Sequence, residues 1–117
     1  MATIKSFTSL EESKKLAKIL PPESADMSWV SNGLGKPFAR TIPIKGDPEE
    51  LCACWSLASL LEILDYPQLS KDKLCSLKVG WMVSVYPNDC RYDSCWHDNP
   101  VDACVEMIIK LKELKLL

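Results

Sequence analysis

The order of hydrophobic and polar residues along the chain predicts a helix near the N-terminus. Residues 9–20 repeat apolar side chains at helical spacing, a pattern that buries one face of a helix. A capping box can precede this helix in two ways, by Thr8 with Glu11 or, one residue later, by Ser9 with Glu12. A pair of prolines follows the pattern and ends the predicted helix.

The same spacing predicts a helix over residues 100–114. Asn99 suits the N-cap position, and Pro100 suits the first helical position, where a missing amide costs nothing. Its buried face is expected to carry Val101, Cys104, Val105, Ile108 and Leu111. Lysines near its C-terminal end interact favourably with the negative pole of the helix dipole.

A further helix is predicted over residues 48–64, in the longest apolar stretch of the chain. Asp47 and Pro48 repeat the cap-then-proline signal, and Glu50 suits the first turn. Apolar side chains cover most of the circumference and leave a narrow polar strip, which is typical of a buried helix. The sequence leaves open whether this helix begins at Pro48 or near Cys54.

Alternation of apolar and polar residues predicts a strand over 77–85, the clearest strand pattern in the chain. Residues 90–96 follow a turn and are predicted to return as a second strand, which closes a hairpin. Residues 38–45 also resemble a strand, and a proline within them indicates a sheet edge. A short edge strand is predicted at 4–7, and a turn or a single helical turn at 70–73.

These elements predict an α+β fold in one domain that spans all 117 residues. Three helices are expected to pack on a small, mainly antiparallel sheet, with the helix over 48–64 central and buried. Residues 23–37 have no period and are rich in turn residues, so a loop is expected there. Met27, Trp29 and Val30 are exceptions that should cover an edge of the core.

The composition narrows the classes of function. The chain is 47% hydrophobic and 26% charged, and its net charge of −2 gives no electrostatic basis for nucleic-acid binding. Its apolar runs are far shorter than the about 20 residues of a membrane-spanning helix. No secretory signal is recognisable, so a cytoplasmic location is expected. Six cysteines are too few for a disulfide scaffold and are expected to be mostly buried free thiols.

Several segments resemble a family of small uncharacterised proteins encoded by gut bacteria and their prophages or mobile elements. The similarity covers both ends and the middle of the chain, in segments 4–20, 23–27, 54–58 and 101–117. In that family a proline directly precedes the central Cys-Trp pair, and here Ala53 stands in its place. Because the family has no established activity, the resemblance implies no catalytic residues.

The segment Cys54–Ala58 also resembles the active-site segment of papain-like peptidases, in which a Cys-Trp pair opens a buried helix. Free helix amides there stabilise a thiolate, and a histidine nearby accepts its proton. His97, the single histidine, lies downstream, where Asp98 or Asn99 is a candidate to orient it. Those peptidases take the orienting residue from a later strand, so the pattern departs here. The alternative is that Cys54 belongs to the core.

A metal site is a weaker hypothesis. Cys90, Cys95 and His97 lie in a turn-rich segment, and Cys52 and Cys54 add two thiols. The spacings are not the Cys-x₂-Cys pairs typical of structural zinc. In a helix, Cys52 and Cys54 would also point about 200° apart. We therefore expect no metal and no other cofactor, and either a Cys90–Cys95 bridge after oxidation or free thiols.

An aromatic patch follows the main strand and is the candidate binding surface. It contains Tyr86, Arg91, Tyr92 and Trp96. Such side chains serve as anchors in protein interfaces, and they also cover the ends of cores. No complete catalytic set is present, so the sequence favours a non-enzymatic intracellular protein that binds a macromolecule, most simply a protein. A small papain-like thiol hydrolase, with Cys54 as nucleophile and His97 as base, is the alternative.

Overall fold

The computed structural model describes residues 5–31, 35–41, 49–75 and 78–117. The elements in chain order are α1 Leu10–Ala17, β1 Met27–Val30, β2 Phe38–Arg40, β3 Glu50–Cys54, α2 Leu57–Ile63, β4 Gln68–Cys75, β5 Lys78–Val85, β6 Tyr92–Asp93 and α3 Pro100–Glu113. Within these ranges, three α-helices and two antiparallel three-stranded sheets confirm the predicted α+β class. None of the helices in these ranges is long and apolar enough to cross a membrane.

The first sheet has the strand order β2–β1–β3. Trp29 stands opposite Cys52 of β3 on one side and Ala39 of β2 on the other. The predicted loop over 23–37 is therefore wrong at β1, where Met27 and Val30 are buried as expected. β2 confirms the start of the strand predicted over 38–45, whose residues 42–45 lie outside the described residues.

The N-terminal entry segment also joins this side of the molecule. Phe7 forms an isolated antiparallel bridge with Ser56, and the amide of Thr8 donates to the carbonyl of Trp55 at 2.9 Å. The amide of Leu57 donates in turn to the carbonyl of Ser6 at 2.9 Å. A short extended segment was predicted here, and its pairing partner turns out to be the corner between β3 and α2.

The second sheet, β4–β5–β6, contains the strand predicted over 77–85. β6 confirms the returning strand, although it is only two residues long. The turn predicted at 70–73 is wrong, because these residues belong to β4 and pair with β5. Lys71 stands opposite Trp81 in the register, with its ammonium 5.2 Å from the indole ring centre. Cross-strand pairing of this kind stabilises a strand whose own residues are polar.

The helix predicted over 48–64 is wrong in its first half. Residues 50–54 form β3, and the helix begins only at Leu57. Pairing with β1 satisfies the backbone of this stretch, so tertiary structure outweighs the local helix signal. The proposed start at Asp47 and Pro48 lies outside the described residues.

The helices at either end confirm their predictions. α1 is capped by Ser9, whose hydroxyl accepts from the amide of Glu12 while the Glu12 carboxylate accepts from the amide of Ser9. The second of the two possible capping boxes is thus the one formed, because the Thr8 hydroxyl bonds to Ser13 and to the Trp55 amide instead. In α3, the Asn99 side chain accepts from the amide of Asp102 at 2.8 Å.

The core lies between α3, α2 and the second sheet. α3 buries one whole face, which contains Pro100, Val101, Ala103, Cys104, Val105, Met107, Ile108 and Leu111. In α2, by contrast, the buried residues are Ser59 and Leu60. The central helix is therefore α3 and not the predicted helix over 48–64. Trp55, at the corner before α2, is 0% exposed and joins this core as expected.

Candidate functional site

Cys54 lies at the end of β3, in a closed polar corner. Its side chain is 0% exposed, as are the side chains of Thr8 and Ser13 beside it. The sulfur is 3.7 Å from Thr8 Oγ1 and donates to the Thr8 carbonyl at 3.5 Å. Burial raises the pKa of the Cys54 thiol, and its hydrogen bonds to Thr8 and Ser13 offset only part of that effect. A buried thiol with a raised pKa is a poor nucleophile.

The amides at the start of α2 do not face this sulfur. The amide of Ser56 donates to Asp26 Oδ1 at 2.9 Å, and the amide of Ser59 donates to Ser56 Oγ at 3.2 Å. The Ser56 hydroxyl donates to the other Asp26 oxygen. The helix start is therefore capped by Ser56 and Asp26, which leaves these two donors unavailable to a thiolate.

His97 is positioned by different elements. Its backbone pairs with Trp81 of β5, and its ring Nε2 lies 2.8 Å from Glu106 Oε1 on α3. No hydrogen bond or ion pair within the described ranges joins His97 to Cys54. The structure thus gives the proposed nucleophile and base separate partners, an arrangement that does not favour the thiol-hydrolase hypothesis.

The metal-ligand candidates do not converge either. Cys90 and Cys95 are exposed free thiols, and the extended strand β6 separates them. Cys52 and Cys54 are two residues apart on a strand, so they share one side of it, contrary to the helical prediction. Among the residues that the structure describes, no group of three or more His, Cys, Asp or Glu side chains is arranged to hold a metal ion.

The predicted aromatic patch divides into parts with different surroundings. Tyr86 is 44% exposed and Trp96 is 39% exposed, whereas Tyr92 packs against the core. Arg91 pairs with Asp93 at 2.8 Å on the surface. Tyr86 is the member of the patch that borders a groove, together with its neighbours Val85 and Pro87 and with residues near the ends of α2 and α3.

We call this cavity the terminal groove, because it lies where α2, β5 and α3 end. It has a volume of about 240 Å³, and apolar side chains that include Ile63, Val85 and Leu111 line it. Tyr66 and Tyr86 also border it, and Tyr66 is 88% exposed.

The backbone of Tyr66 lies in the left-handed region, with φ of 49°. This conformation is uncommon for a residue with a bulky side chain. In the sequence, Asp65 and Tyr66 directly follow the helix predicted over residues 48–64, and no surface role was predicted for them. A large aromatic residue directly before Pro67, at the end of a predicted helix, was the sequence signal that could have indicated a surface role.

Comparison of the chain with protein-family models, with curated proteins and with solved structures gives no significant match in any of the three. The class that the fold defines is therefore a small α+β protein.

Proposed function

We propose that this protein acts without catalysis, by binding another protein through the terminal groove. The observation that carries the proposal is Tyr66, which is 88% exposed beside a cavity lined mainly by apolar side chains, with Asp65 at its border. The Tyr66 backbone adopts the left-handed conformation at this turn. This conformation costs free energy, which other contacts in the fold must offset. Large exposed aromatic side chains around an apolar floor are characteristic of interface anchors.

The dimensions of the groove favour an inserted side chain over a metabolite. Its volume of about 240 Å³ is below the roughly 300–1,000 Å³ of small-molecule pockets. Leu117 also lines the groove and is 41% exposed, which adds apolar surface for a partner. The proposed occupant is an aliphatic or aromatic side chain of a partner protein, held between the two tyrosines.

Two further parts of the proposal rest on the sequence. A cytoplasmic location is proposed because six cysteines fit free thiols in a reducing compartment better than a disulfide scaffold. The resemblance to small proteins of gut bacteria, prophages and mobile elements supports a partner from the host cell or from the element itself.

Site-specific photo-crosslinking tests the proposal. A photoreactive phenylalanine analogue placed at Tyr66 should capture one defined protein in host cells. The same analogue at Phe38, which is 51% exposed on the first sheet, is the matched control and should not capture it.

The captured protein is then purified and its affinity is measured by calorimetry. Tyr66→Ala should weaken binding by about 2 kcal/mol or more, and Phe38→Ala should change it by less than about 0.5 kcal/mol. Equal affinity of wild type and Tyr66→Ala would overturn the proposal. Crosslinking of one copy to another would make the groove a self-association surface and would also overturn it.

A further inference from the structure

The two tyrosines that border the terminal groove occur in the same dipeptide. Each is followed directly by a proline, as Tyr66-Pro67 and Tyr86-Pro87. The first pair joins the end of α2 to β4, and the second follows the end of β5. The fold therefore brings two Tyr-Pro pairs that are far apart in the chain to one cavity.

Both tyrosine rings stand on restricted backbone. A proline limits the conformations of the residue before it, and this applies to Tyr66 and to Tyr86 alike. Gln68 directly follows Pro67, and its Oε1 accepts from the Tyr86 hydroxyl at 3.2 Å, which ties one Tyr-Pro pair to the other. A partner that contacts rings held in this way has to order few additional rotations, so less entropy is lost on binding.

Residues with positive φ adjoin the same groove. In the part of the chain that the structure describes, the residues other than glycine with this conformation are Tyr66, Asn88, Asp89 and Lys115. Tyr66 borders the groove itself, Asn88 follows its lining residue Pro87, and Lys115 precedes its lining residue Leu116. Such conformations cost free energy and are concentrated at binding sites. Their clustering supports a binding role for this end of the molecule.

The groove does not suit a partner strand or a partner helix. β5 is paired on both sides where it reaches the groove, because Ser84 pairs with Gln68 of β4 and Val85 pairs with Tyr92 of β6. A partner strand therefore finds no free edge of β5 here. The volume of about 240 Å³ is also small for the row of side chains that an amphipathic helix inserts over successive turns.

A polyproline II segment meets these limits. It is extended and narrow, it has no internal hydrogen bonds, and its carbonyl groups are free to accept. Proline-rich segments in this conformation dock into grooves lined by aromatic side chains. The rings of Tyr66 and Tyr86 are 88% and 44% exposed beside the apolar floor, and the Tyr66 hydroxyl forms no hydrogen bond with another described residue. That hydroxyl is available to donate to a carbonyl of the bound segment.

The charge at the border favours a cation in the partner. Asp65 is the charged residue in the lining, its side chain is exposed, and it forms no ion pair with another described residue. Asp89, also exposed, lies two residues beyond Pro87, whereas the exposed Lys115 precedes Leu116. Carboxylates thus outnumber ammonium groups around the groove, which complements an arginine or a lysine.

We propose that the terminal groove binds a proline-rich segment of the partner protein in the polyproline II conformation, with a basic residue beside its prolines. The proline rings pack against Tyr66 and Tyr86, and the basic residue pairs with Asp65. This inference rests on the proposed function and names the chemical class of the segment that is bound.

Synthetic peptides test the inference without the natural partner. The probe is a fluorescein-labelled peptide of six prolines with an arginine at each end, and its binding to the full chain is followed by fluorescence anisotropy. One control peptide has six serines between the arginines, and another has a glutamate at each end of the prolines. The probe should bind about tenfold or more tightly than the serine peptide and about threefold or more tightly than the glutamate peptide.

Variants assign the binding to the groove. Tyr66→Ala should weaken binding of the probe about tenfold, and Tyr66→Phe, which keeps the ring and loses the hydroxyl, should weaken it about fivefold. Asp65→Asn should remove the preference for arginine over glutamate ends, and Asp72→Asn, which alters an exposed carboxylate on β4, is its matched control and should leave that preference unchanged. Phe38→Ala should leave binding of the probe unchanged.

Equal affinity for the proline and serine peptides would overturn the inference, as would no binding of the probe at about 1 mM. An unchanged affinity in folded Tyr66→Ala would contradict it as well. The proposed function is separable from this result, because it stands if Tyr66→Ala weakens binding of the crosslinked protein while the proline probe does not bind. Where both hold, the crosslink from Tyr66 should map to a proline-rich segment of the captured protein.

Discussion

Two stretches of this chain carry the same helix-start signal, yet they fold differently. Asn99 and Pro100 begin α3 as the signal predicts. Asp47 and Pro48 carry an equivalent signal, but residues 50–54, which should form the first turns, are a strand. A cap followed by proline therefore shows where a helix can begin and does not decide whether it does.

Tertiary partners account for the difference. α3 has an apolar face that the second sheet and α2 cover along its whole length. β3 has a ready strand partner in β1, and its end is fixed by the entry segment near Thr8. Pairing with β1 satisfies the backbone groups on one edge of β3 and buries the side chains between the strands, and together these outweigh the internal hydrogen bonds that a helix would form here.

The largest predicted effect is at Trp55, where β3 meets α2. Trp55→Ala should lower the free energy of unfolding by about 3–5 kcal/mol, because the ring is fully buried and its Nε1 donates to Ser24 Oγ at 3.0 Å. Urea denaturation followed by circular dichroism measures the change. Trp96→Ala is the matched control, and its exposed ring should cost less than about 1 kcal/mol. A near-neutral Trp55→Ala would refute the burial of this corner.

The next prediction concerns Ser56. The sign of its stability change distinguishes β3 followed by α2 from a continuous helix over residues 48–64. Ser56→Ala should destabilise the protein by about 1–2 kcal/mol, because Ser56 caps α2 and bonds to Asp26. In a continuous helix over 48–64 the same change would be neutral or stabilising, since alanine is the better helix former. Thermal unfolding of the two proteins decides between these outcomes.

Asn99→Ala provides the comparison at the other helix start. It should cost about 1 kcal/mol, since the Asn99 side chain caps α3 by accepting from the Asp102 amide. If Ser56→Ala stabilised the protein while Asn99→Ala destabilised it, the result would support the continuous helix predicted over residues 48–64.

A smaller effect should appear in the pH dependence. Burial would raise the pKa of Asp26, but hydrogen bonds from Ser56 outweigh it and lower the pKa. The stabilisation is therefore present above the ordinary aspartate pKa of about 3.9 and is lost as pH falls toward the lower pKa of the folded state. Urea midpoints at pH 6 and pH 3 should differ less for Asp26→Asn than for wild type. Equal pH dependence would mean that Asp26 does not bond to Ser56 in solution.

The smallest effect should be at Leu51. This side chain is 47% exposed on β3, so Leu51→Thr should change the free energy of unfolding by less than about 0.5 kcal/mol. On the apolar face of a buried helix the same change would cost about 2 kcal/mol or more. Guanidinium denaturation of wild type and of Leu51→Thr distinguishes an exposed position on β3 from a buried position on a helix.

The sequence predicted the elements whose local signals and packing agree. The period of α3, its Asn99 cap and the alternation in β5 all led to correct predictions. β4 was missed because residues 70–73 are polar, and their strand conformation depends on pairing with β5. β1 was missed because it is only four residues long and lies among turn residues.

The candidate sites were also hard to predict, because their contacts depend on tertiary structure. Cys54 and His97 were noticed as residue types, but only the fold shows that Cys54 is enclosed by Thr8 while His97 bonds to Glu106. Glu106 carries no sequence signal, since it is one of several charged residues on α3. Glu106 accepts from the Cys95 amide because the segment after β6 has one residue more than β5 between the pairs Ser84–Asp93 and Trp81–His97, and the sequence does not specify this register.

The corner around Cys54 and Trp55 has a consequence for the order of folding. β4 and β5 are close in sequence and can pair early, because closing a short loop costs little entropy. The corner needs three segments that are far apart in the chain: the entry segment at Thr8, β1 and β3. We therefore expect its contacts to form after the main folding barrier. Changes at Thr8 should mainly speed unfolding and leave the folding rate nearly unaltered.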